Sequence, residues 1–471
     1  MLFNTIEFVI FLPVVIIAYF LIPHKFRWIL LLAASYFFYM SWKVEYIFLI
    51  ITSTLIDYFS GIFMERQKER RARLPWLILS LCSNLGLLFF FKYFNFAASN
   101  LNLLFAKMGM DTSLPLMKFL LPVGISFYTF QTLSYSIDVY FGRQKAERHL
   151  GYFALYVSFF PQLVAGPIER FSRLTPQLKK KHDFSYQNLI YGLRLILFGL
   201  FIKMVIADNL AGIVDAIYAA PGQYASSDIL KGILFYSFQI YSDFYGYSII
   251  AIGSAKIMGI ELMDNFKTPY LAKNIGEFWQ RWHISLSTWF RDYLYFPMGG
   301  NRVTKLRWAL NILTVFVVSG FWHGANWTFL IWGGIFGIIY LTEHILNSRL
   351  KLVKPHEAFS LGHLLLSLKT FTFVTLIWVF FRSPSLGEAI HLFELLFQTH
   401  REVESSLMIP TYVWIFFIFF VLSDMILYNK RIDSYLSKVP FLVRWGVYAF
   451  LIFSIIVFAG VENFPFIYFQ F

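Results

Sequence analysis

The chain has 471 residues, 58% of them hydrophobic and only 14% charged, where a soluble domain carries about 25% charged residues. With 57 phenylalanines it holds more apolar surface than a soluble fold of this length can bury, which excludes a soluble globular protein and makes lipid the natural solvent for its outer faces. The net charge of +13 sits in short loops between apolar runs; that excludes nucleic acid as the partner and fits the positive-inside bias of a bilayer protein.

Taken in order, the apolar runs predict an all-α polytopic membrane protein with about twelve crossings at ~20 residues each. The first group is 3–22, 28–42, 44–64, 75–94 and 115–141. The second is 188–206 and 229–259, and the third is 308–322, 327–346, 363–382, 409–428 and 443–461. The run at 28–42 is short for a crossing. The first run lacks a basic lead and a small-residue cleavage site, so it reads as a retained span and not a signal peptide. Cys82, the one cysteine, lies in an apolar run and reads as packing; it excludes an internal disulfide or a cysteine-based metal site.

Loop charges set the orientation. With the N-terminus outside, the inner loops hold Lys25 and Arg27, Arg66 through Arg73, Arg143 to Arg148, Arg170 through Lys181, Arg302 to Arg307, Arg349 to Lys354, and Lys430 to Lys438. The outer loops hold Lys43, Lys107 and Arg401, with Asp208, Asp215, Asp228, Glu388, Glu394, Glu402 and Glu404. Both termini are therefore predicted outside.

Two stretches fit poorly as spans. Residues 151–167 are apolar but contain Pro161, Gly166 and Pro167, which break a helix. Residues 277–297 carry Glu277, Gln280, Arg281, His283, Arg291 and Asp292, too many polar groups for lipid. Both read as re-entrant or interfacial elements on the inner side. Broken backbone at membrane depth is tolerated only where protein or water covers it, so a central tunnel opening inward is expected. Residues 386–399 read as an amphipathic helix on the outer surface. With no internal repeat, low-complexity tract or long linker, residues 1–471 read as a single integral-membrane domain.

The candidate chemistry lies between Phe278 and Trp327. His323 sits in Gly320-Phe321-Trp322-His323-Gly324, between two apolar runs, where the glycines permit close approach or unusual backbone. An imidazole at membrane depth is costly, and with a reference pKa of ~6.5 it can accept a hydroxyl proton. The competing reading is a histidine hydrogen-bonded at headgroup level between belt tryptophans such as Trp322. His283 follows Arg281 and Trp282; on a continuous helix Trp279, Trp282 and Leu286 share one face with His283 at its edge. Arg281 and Arg291 suit donor phosphates, or snorkel from an interfacial helix. Gln239, Asp243 and Tyr247 share a helical face and either line a polar cavity or hydrogen-bond between spans. Lys203 and Asp208 read as a structural ion pair. Two histidines 40 residues apart, without acidic or cysteine partners at ligand spacing, give no metal site. No Walker A, dinucleotide fingerprint, His-Glu-x-x-His or nucleophile elbow occurs.

Several longer pieces together resemble the membrane-bound O-acyltransferase superfamily, and within it the bacterial branch of alginate O-acetylases and teichoic-acid D-alanyl transferases. They are Pro-Val-Gly-Ile-Ser-Phe-Tyr at 122–128, Phe159 to Ile168, Phe-Gln-Ile-Tyr-Ser-Asp-Phe-Tyr-Gly-Tyr-Ser at 238–248, Glu277–Arg302, Gly320–Gly333, and Pro-Phe-Ile-Tyr-Phe-Gln-Phe at the C-terminus. The resemblance implies that His323 is the essential histidine and His283 a second active-site residue, with Arg281, Trp282, Asp243, Gln239 and Trp322 near the substrates. It implies a multi-pass enzyme of the bacterial cytoplasmic membrane with no permanently bound cofactor. The donor is then acetyl-CoA or another phosphopantetheine thioester, either free or on a cytoplasmic acyl carrier. The acyl group, acetyl first of all, passes to a hydroxyl of an exported polysaccharide or of an extracytoplasmic protein that acylates it. D-alanyl transfer to teichoic acid from a carrier protein is the alternative. A secondary transporter of an anionic solute, built on the broken elements, is the reading from a different class.

Overall fold

The computed structural model describes all residues except Phe119, Ala165, 351–359, 399–406, 461–463, Pro465 and 468–471; of residues 348–350 it describes the backbone alone. The inner basic positions 351–354, the outer Arg401, Glu402 and Glu404, and most of the C-terminal motif thus lie outside the described residues. Among the described residues there is helix, turn and loop but no strand. Every apolar run named above carries helix, although in the run 115–141 it starts only at Ile125. Among the described residues, six helices are long and apolar enough to cross a membrane: Val44–Arg66, Arg70–Lys107, Tyr186–Ala219, Trp327–Asn347, Leu361–Arg382 and Phe441–Phe458. Ile6–Leu21 and Thr411–Ile426 are shorter apolar helices.

Two of these helices outrun the expectation. The segment Tyr186–Ala219 continues through a π turn at Ile202–Ala207, so Asp208 and Asp215 lie in helix and not in an outer loop. The reason is local. The wider turn brings Lys203 and Asp208, five residues apart, to 2.7 Å, and the buried charge is neutralised without ending the helix. Arg70–Lys107 similarly continues through a π turn at Phe89–Tyr93. Cys82 lies exposed on this helix, not packed as expected, because the face it occupies is directed away from the protein.

The chain forms two compact units, Met1–Gly192 with Ala251–Met263, and Leu193–Ile250 with Asp264–Phe471. The first holds α1 (Ile6–Leu21), α2 (His24–Met40), α3 (Ile47–Arg66), α4 (Arg70–Leu88), α5 (Phe94–Lys107), α6 (Ile125–Tyr140), α7 (Leu150–Ser158), α8 (Phe160–Leu163) and α9 (Phe171–Lys179). Its centre is polar. Asp57 of α3, fully buried, accepts hydrogen bonds from Asn84 of α4 at 2.9 Å and Ser136 of α6 at 3.2 Å. Such bonds join helices where lipid gives no hydrophobic drive for association. The stretch 151–167 is broken as its prolines require: α7 ends at Ser158, α8 is a single turn, and the chain from Phe153 to Leu163 is buried. Gly124, at φ 75°, lets this break approach, since a Cβ there would lie 2.6 Å from the Leu163 carbonyl oxygen.

The unit boundaries fall inside α10 (Tyr186–Phe201) and α12 (Ser226–Ile257). The second unit contains α11 (Asp208–Ala219), α13 (Ile275–Arg281), α14 (Ile284–Phe290), α15 (Lys305–His323), α16 (Trp327–Leu350), α17 (Leu361–Arg382), α18 (Leu386–Phe397), α19 (Thr411–Ile426), α20 (Ile432–Ser437) and α21 (Phe441–Phe458). The stretch expected as an amphipathic helix at 386–399 is α18. It buries Ala389, Leu392 and Leu395 against Ile229, Ile233 and Val379. The stretch 278–287 is not one helix. α13 stops at Arg281, and His283 takes a left-handed conformation before α14 begins. The single face expected for Trp279, Trp282 and Leu286, with His283 at its edge, is therefore interrupted between Trp282 and Leu286.

Candidate active site

α15 and α16 form the hairpin that carries His323. Gly320 and Gly333 let the two backbones touch, and Gly324 makes room for the Phe329 ring: a Cβ at Gly320 would lie 2.1 Å from the Phe329 carbonyl oxygen, and one at Gly333 2.2 Å from that of Phe316. Gly324 is extended at φ −163°, so close approach and not unusual backbone is what the glycines supply. His323 is the last residue of α15 and is 2% exposed. Its ring lies 4.9 Å from Trp322, 5.2 Å from Trp332 and 5.3 Å from Phe381, centroid to centroid.

His283 reaches the same place from α13. Its ring centroid is 6.5 Å from that of His323, 6.0 Å from Trp322, and 4.7 Å edge-on to Phe244 of α12. It is fully buried, and burial pushes its imidazole down to about 3. The ring is therefore neutral at physiological pH and offers one N–H donor and one lone pair.

The left-handed backbone of His283, at φ 42°, is costly for a residue with a side chain, about 1–3 kcal/mol. Asn265 holds it. The Asn265 carbonyl accepts the Ile284 amide at 3.0 Å, and its side-chain oxygen accepts the Ser285 hydroxyl at 2.6 Å and the Ser285 amide at 3.3 Å. The Arg281 carbonyl accepts the Lys267 amide at 2.9 Å, and nearby Thr268 is itself left-handed at φ 45°. Two strained residues thus bracket one hydrogen-bonded clamp.

The other expected site residues divide. Trp282 and Trp322 stand where the site is: Trp282 stacks on Phe278 at 5.5 Å and meets Trp378 at 5.1 Å. Arg281 is engaged by the protein. It donates to Glu277 (3.0 Å), the Lys267 carbonyl (3.0 Å), Thr268 (3.4 Å), Asn429 (2.8 Å) and Tyr428 (3.0 Å). Asp243 follows the second of its two readings. One oxygen pairs with Lys203 at 2.7 Å and the other accepts the Ile467 amide at 2.7 Å. Gln239, on the same face, is buried and its side-chain carbonyl has no hydrogen-bond partner among the described residues.

Sequence reasoning missed Asn265, Trp332, Trp378 and Phe381. Trp378 and Phe381, three apart on α17, share a face, which the spacing shows. Asn265 gives no local signal because both its partners are some twenty residues away.

A cavity of about 970 Å³ opens along the other side of α13. It is lined by Lys267, Lys273, Glu277, Arg281, Glu343 and Lys369, among others, so four cations face two carboxylates. On α16 it runs from Ile339 to Asn347. Ile339 is twelve residues beyond Trp327, about 18 Å along the helix at ~1.5 Å per residue. The cavity and His323 therefore lie at opposite ends of the α16–α17 pair, with Trp332, Phe336 and Trp378 between them.

The chain matches the model of the MBOAT, membrane-bound O-acyltransferase family over residues 143–381, which include both histidines. It is 39% identical over 422 residues to the peptidoglycan O-acetyltransferase of Helicobacter pylori, covering 83% of this chain and 78% of that one. It is also 39% identical over 391 residues to the probable alginate O-acetylase AlgI of Pseudomonas aeruginosa, covering 82% and 73%. The teichoic acid D-alanyltransferase of Bacillus subtilis is 33% identical over 226 residues, 45% of this chain and 56% of that one. The apolar helices, the family model and these relatives define a multi-pass membrane acyltransferase. The chain belongs to the membrane-bound O-acyltransferase family.

Two measurements check the clamp. Asn265→Ala removes the acceptor for two buried donors and is expected to cost about 2 kcal/mol or more, measured by denaturation in detergent micelles. A double-mutant cycle with Ser285→Ala should return a coupling of about 1 kcal/mol; a coupling near zero removes the contact from the account. For His283 the sign follows from its depressed value. Below the reference of ~6.5 the unfolded chain takes a proton that the folded ring refuses, so stability present above pH ~6.5 is lost as pH falls toward 3. His283→Gln cannot titrate, and its melting temperature should fall less than the wild type's between pH 6.5 and 4.5.

Proposed function

We propose that the protein transfers an acetyl group from a cytoplasmic thioester to a hydroxyl of an exported polysaccharide, or of a protein that acylates one. The observation that carries this reading is the buried imidazole pair, 6.5 Å apart, with a cation-lined cavity at the far end of the helices that hold it. The substrate hydroxyl oxygen attacks the thioester carbonyl carbon while His323 removes the hydroxyl proton. Negative charge gathers on the carbonyl oxygen, where neutral His283 donates its N–H. The carbon–sulfur bond then breaks, and His323 returns the proton to sulfur to give the thiol. Water exclusion by Trp322, Trp332 and Phe381 limits hydrolysis of the thioester.

The cavity along α13 fits the donor. Its volume lies within the ~300–1,000 Å³ usual for small-molecule sites, and its cationic excess suits phosphates. Arg281 and Lys369 are tied to Glu277 and Glu343, and exposed Lys267 is the phosphate contact. A cavity of this size favours a free thioester such as acetyl-CoA over a carrier protein, which binds to a surface. The donor's phosphates then stay on the cytoplasmic side, the His323 end faces outward, and the uncharged pantetheine arm carries the thioester along the ring wall between them. Trp332, Trp378 and Phe381 touch one another at 5.1 to 5.6 Å, so this passage opens by rotation of those rings.

Purified protein supplied with acetyl-CoA and a hydroxyl acceptor tests the reading by release of free thiol. His323→Ala is expected to lower the rate by roughly 10²–10⁴ while the protein stays inserted and folded. Retention of the wild-type rate would remove His323 from the chemistry. Exposed Lys267→Glu is expected to raise KM for acetyl-CoA by about tenfold or more with kcat little changed. An unaltered KM would place the donor elsewhere.

A further inference from the structure

A second cavity, of about 570 Å³, lies at the His323 end of the same helices. α17 presses Phe381 against the His323 ring and ends at Arg382. Asn326, three residues past His323, donates its side-chain amide to the Pro384 carbonyl at 2.7 Å. Just beyond that bond, Asp215 and Tyr218 of α11, Arg382, and Glu388 and His391 of α18 line the cavity.

Its polar groups include one more carboxylate than guanidinium. Arg382 pairs with Asp215 at 2.7 Å and lies 5.4 Å over the Tyr218 ring, so its charge is already matched. The Tyr218 hydroxyl is buried and has no hydrogen-bond partner among the described residues. Glu388 is exposed, and among the described residues it has no ion-pair partner. His391 adds an imidazole that lies 3.5 Å from the Glu394 carboxylate. The cavity thus offers an aromatic ring, an unsatisfied hydroxyl, a held guanidinium and one carboxylate in excess. Carboxylates accept from vicinal hydroxyls, the guanidinium donates to ring and hydroxyl oxygens, and the excess negative charge repels anions.

We propose that this cavity binds an uncharged sugar unit of the acceptor glycan, turns one of its hydroxyls toward His323, and discriminates against uronates. The inference rests on the reading of His323 as the base that serves a glycan hydroxyl. It goes further in naming the site and the charge class of the acceptor.

Saturation-transfer NMR on the purified full-length protein in micelles tests it with two probes, an N-acetylglucosamine tetramer and a mannuronate tetramer. Wild type is expected to saturate the uncharged tetramer and not the anionic one. Glu388→Lys changes an exposed side chain, which preserves folding, and should shift the binding ratio toward mannuronate by about tenfold. Failure of both tetramers to bind, equal binding of both, or a ratio unchanged in Glu388→Lys would each overturn the proposal. Thiol release from acetyl-CoA on the same wild-type preparation reads the transferase assignment separately. Its absence beside selective tetramer binding would count against that assignment and leave the cavity a sugar site.

Discussion

The contact between Gly320 and the Phe329 carbonyl governs the second unit. No side chain fits between them, so α15 and α16 meet backbone to backbone, and Gly333 repeats the contact one ridge further on. In lipid, where apolar side chains gain little from leaving one bilayer environment for another, such close packing is a main source of helix association. Here it also sets position. His323 ends α15 three residues after Gly320, so its depth against Trp332 and Phe381 is fixed by backbone and not by adjustable side chains. A general base must stand within hydrogen-bond reach of the proton it removes, and an error of an ångström is expensive. The hairpin removes the freedom that would allow that error.

Charge in this unit is spent on framework. Lys203 is buried between Asp208 and Asp243 at 2.7 Å from each and also donates to the Phe464 carbonyl at 3.3 Å. Arg281 is enclosed by five protein groups and holds the Lys267–Thr268 segment, a few residues from the Asn265 that clamps His283. A buried ion is tolerable only when its hydrogen-bonding capacity is filled, and both cations meet that condition. The groups left to act in the proposed reaction are the two imidazoles, of which burial holds His283 neutral. Neutrality suits the role assigned to His283: a ring held uncharged by burial can donate to a developing oxyanion without first shedding a proton to solvent.

Much of this was legible in the sequence because it rests on composition and local spacing. Apolar runs marked the helices, Pro161 and Pro167 marked the break, and glycines around His323 marked a close approach. Helix ends were less legible. Asp208 and Asp215 look like loop residues to any reading that equates charge with water, yet a partner five residues back keeps Asp208 dry. The turn at His283 was hidden for a related reason. Nothing in Arg281-Trp282-His283-Ile284 opposes a helix; the competing bonds come from Asn265, in a segment that only tertiary packing brings alongside. Arg281 misled in the opposite direction. A basic residue beside a candidate site invites an anionic ligand, but whether its five donors are already occupied depends on Tyr428 and Asn429, which lie far along the chain.

The two cavities differ in charge as the proposed chemistry requires. One, lined by Lys267, Lys273, Arg281 and Lys369 against two carboxylates, is cationic; the other, with Asp215 and Glu388 against Arg382, is not. They lie at opposite ends of α16 and α17, and the rings between them carry no charge. Carrying a phosphate-bearing donor along that wall would mean desolvating its anions, several kcal/mol or more for each. The donor's pantetheine arm and its thioester have no charge to desolvate, so their entry faces only the movement of rings. In the proposed reaction the aromatic barrier is therefore selective on energetic grounds: it holds the donor's anionic portion at the cation-lined end and admits the uncharged arm that bears the acetyl group. The imidazole pair stands at the far side of that barrier, where the thioester and an uncharged hydroxyl can meet.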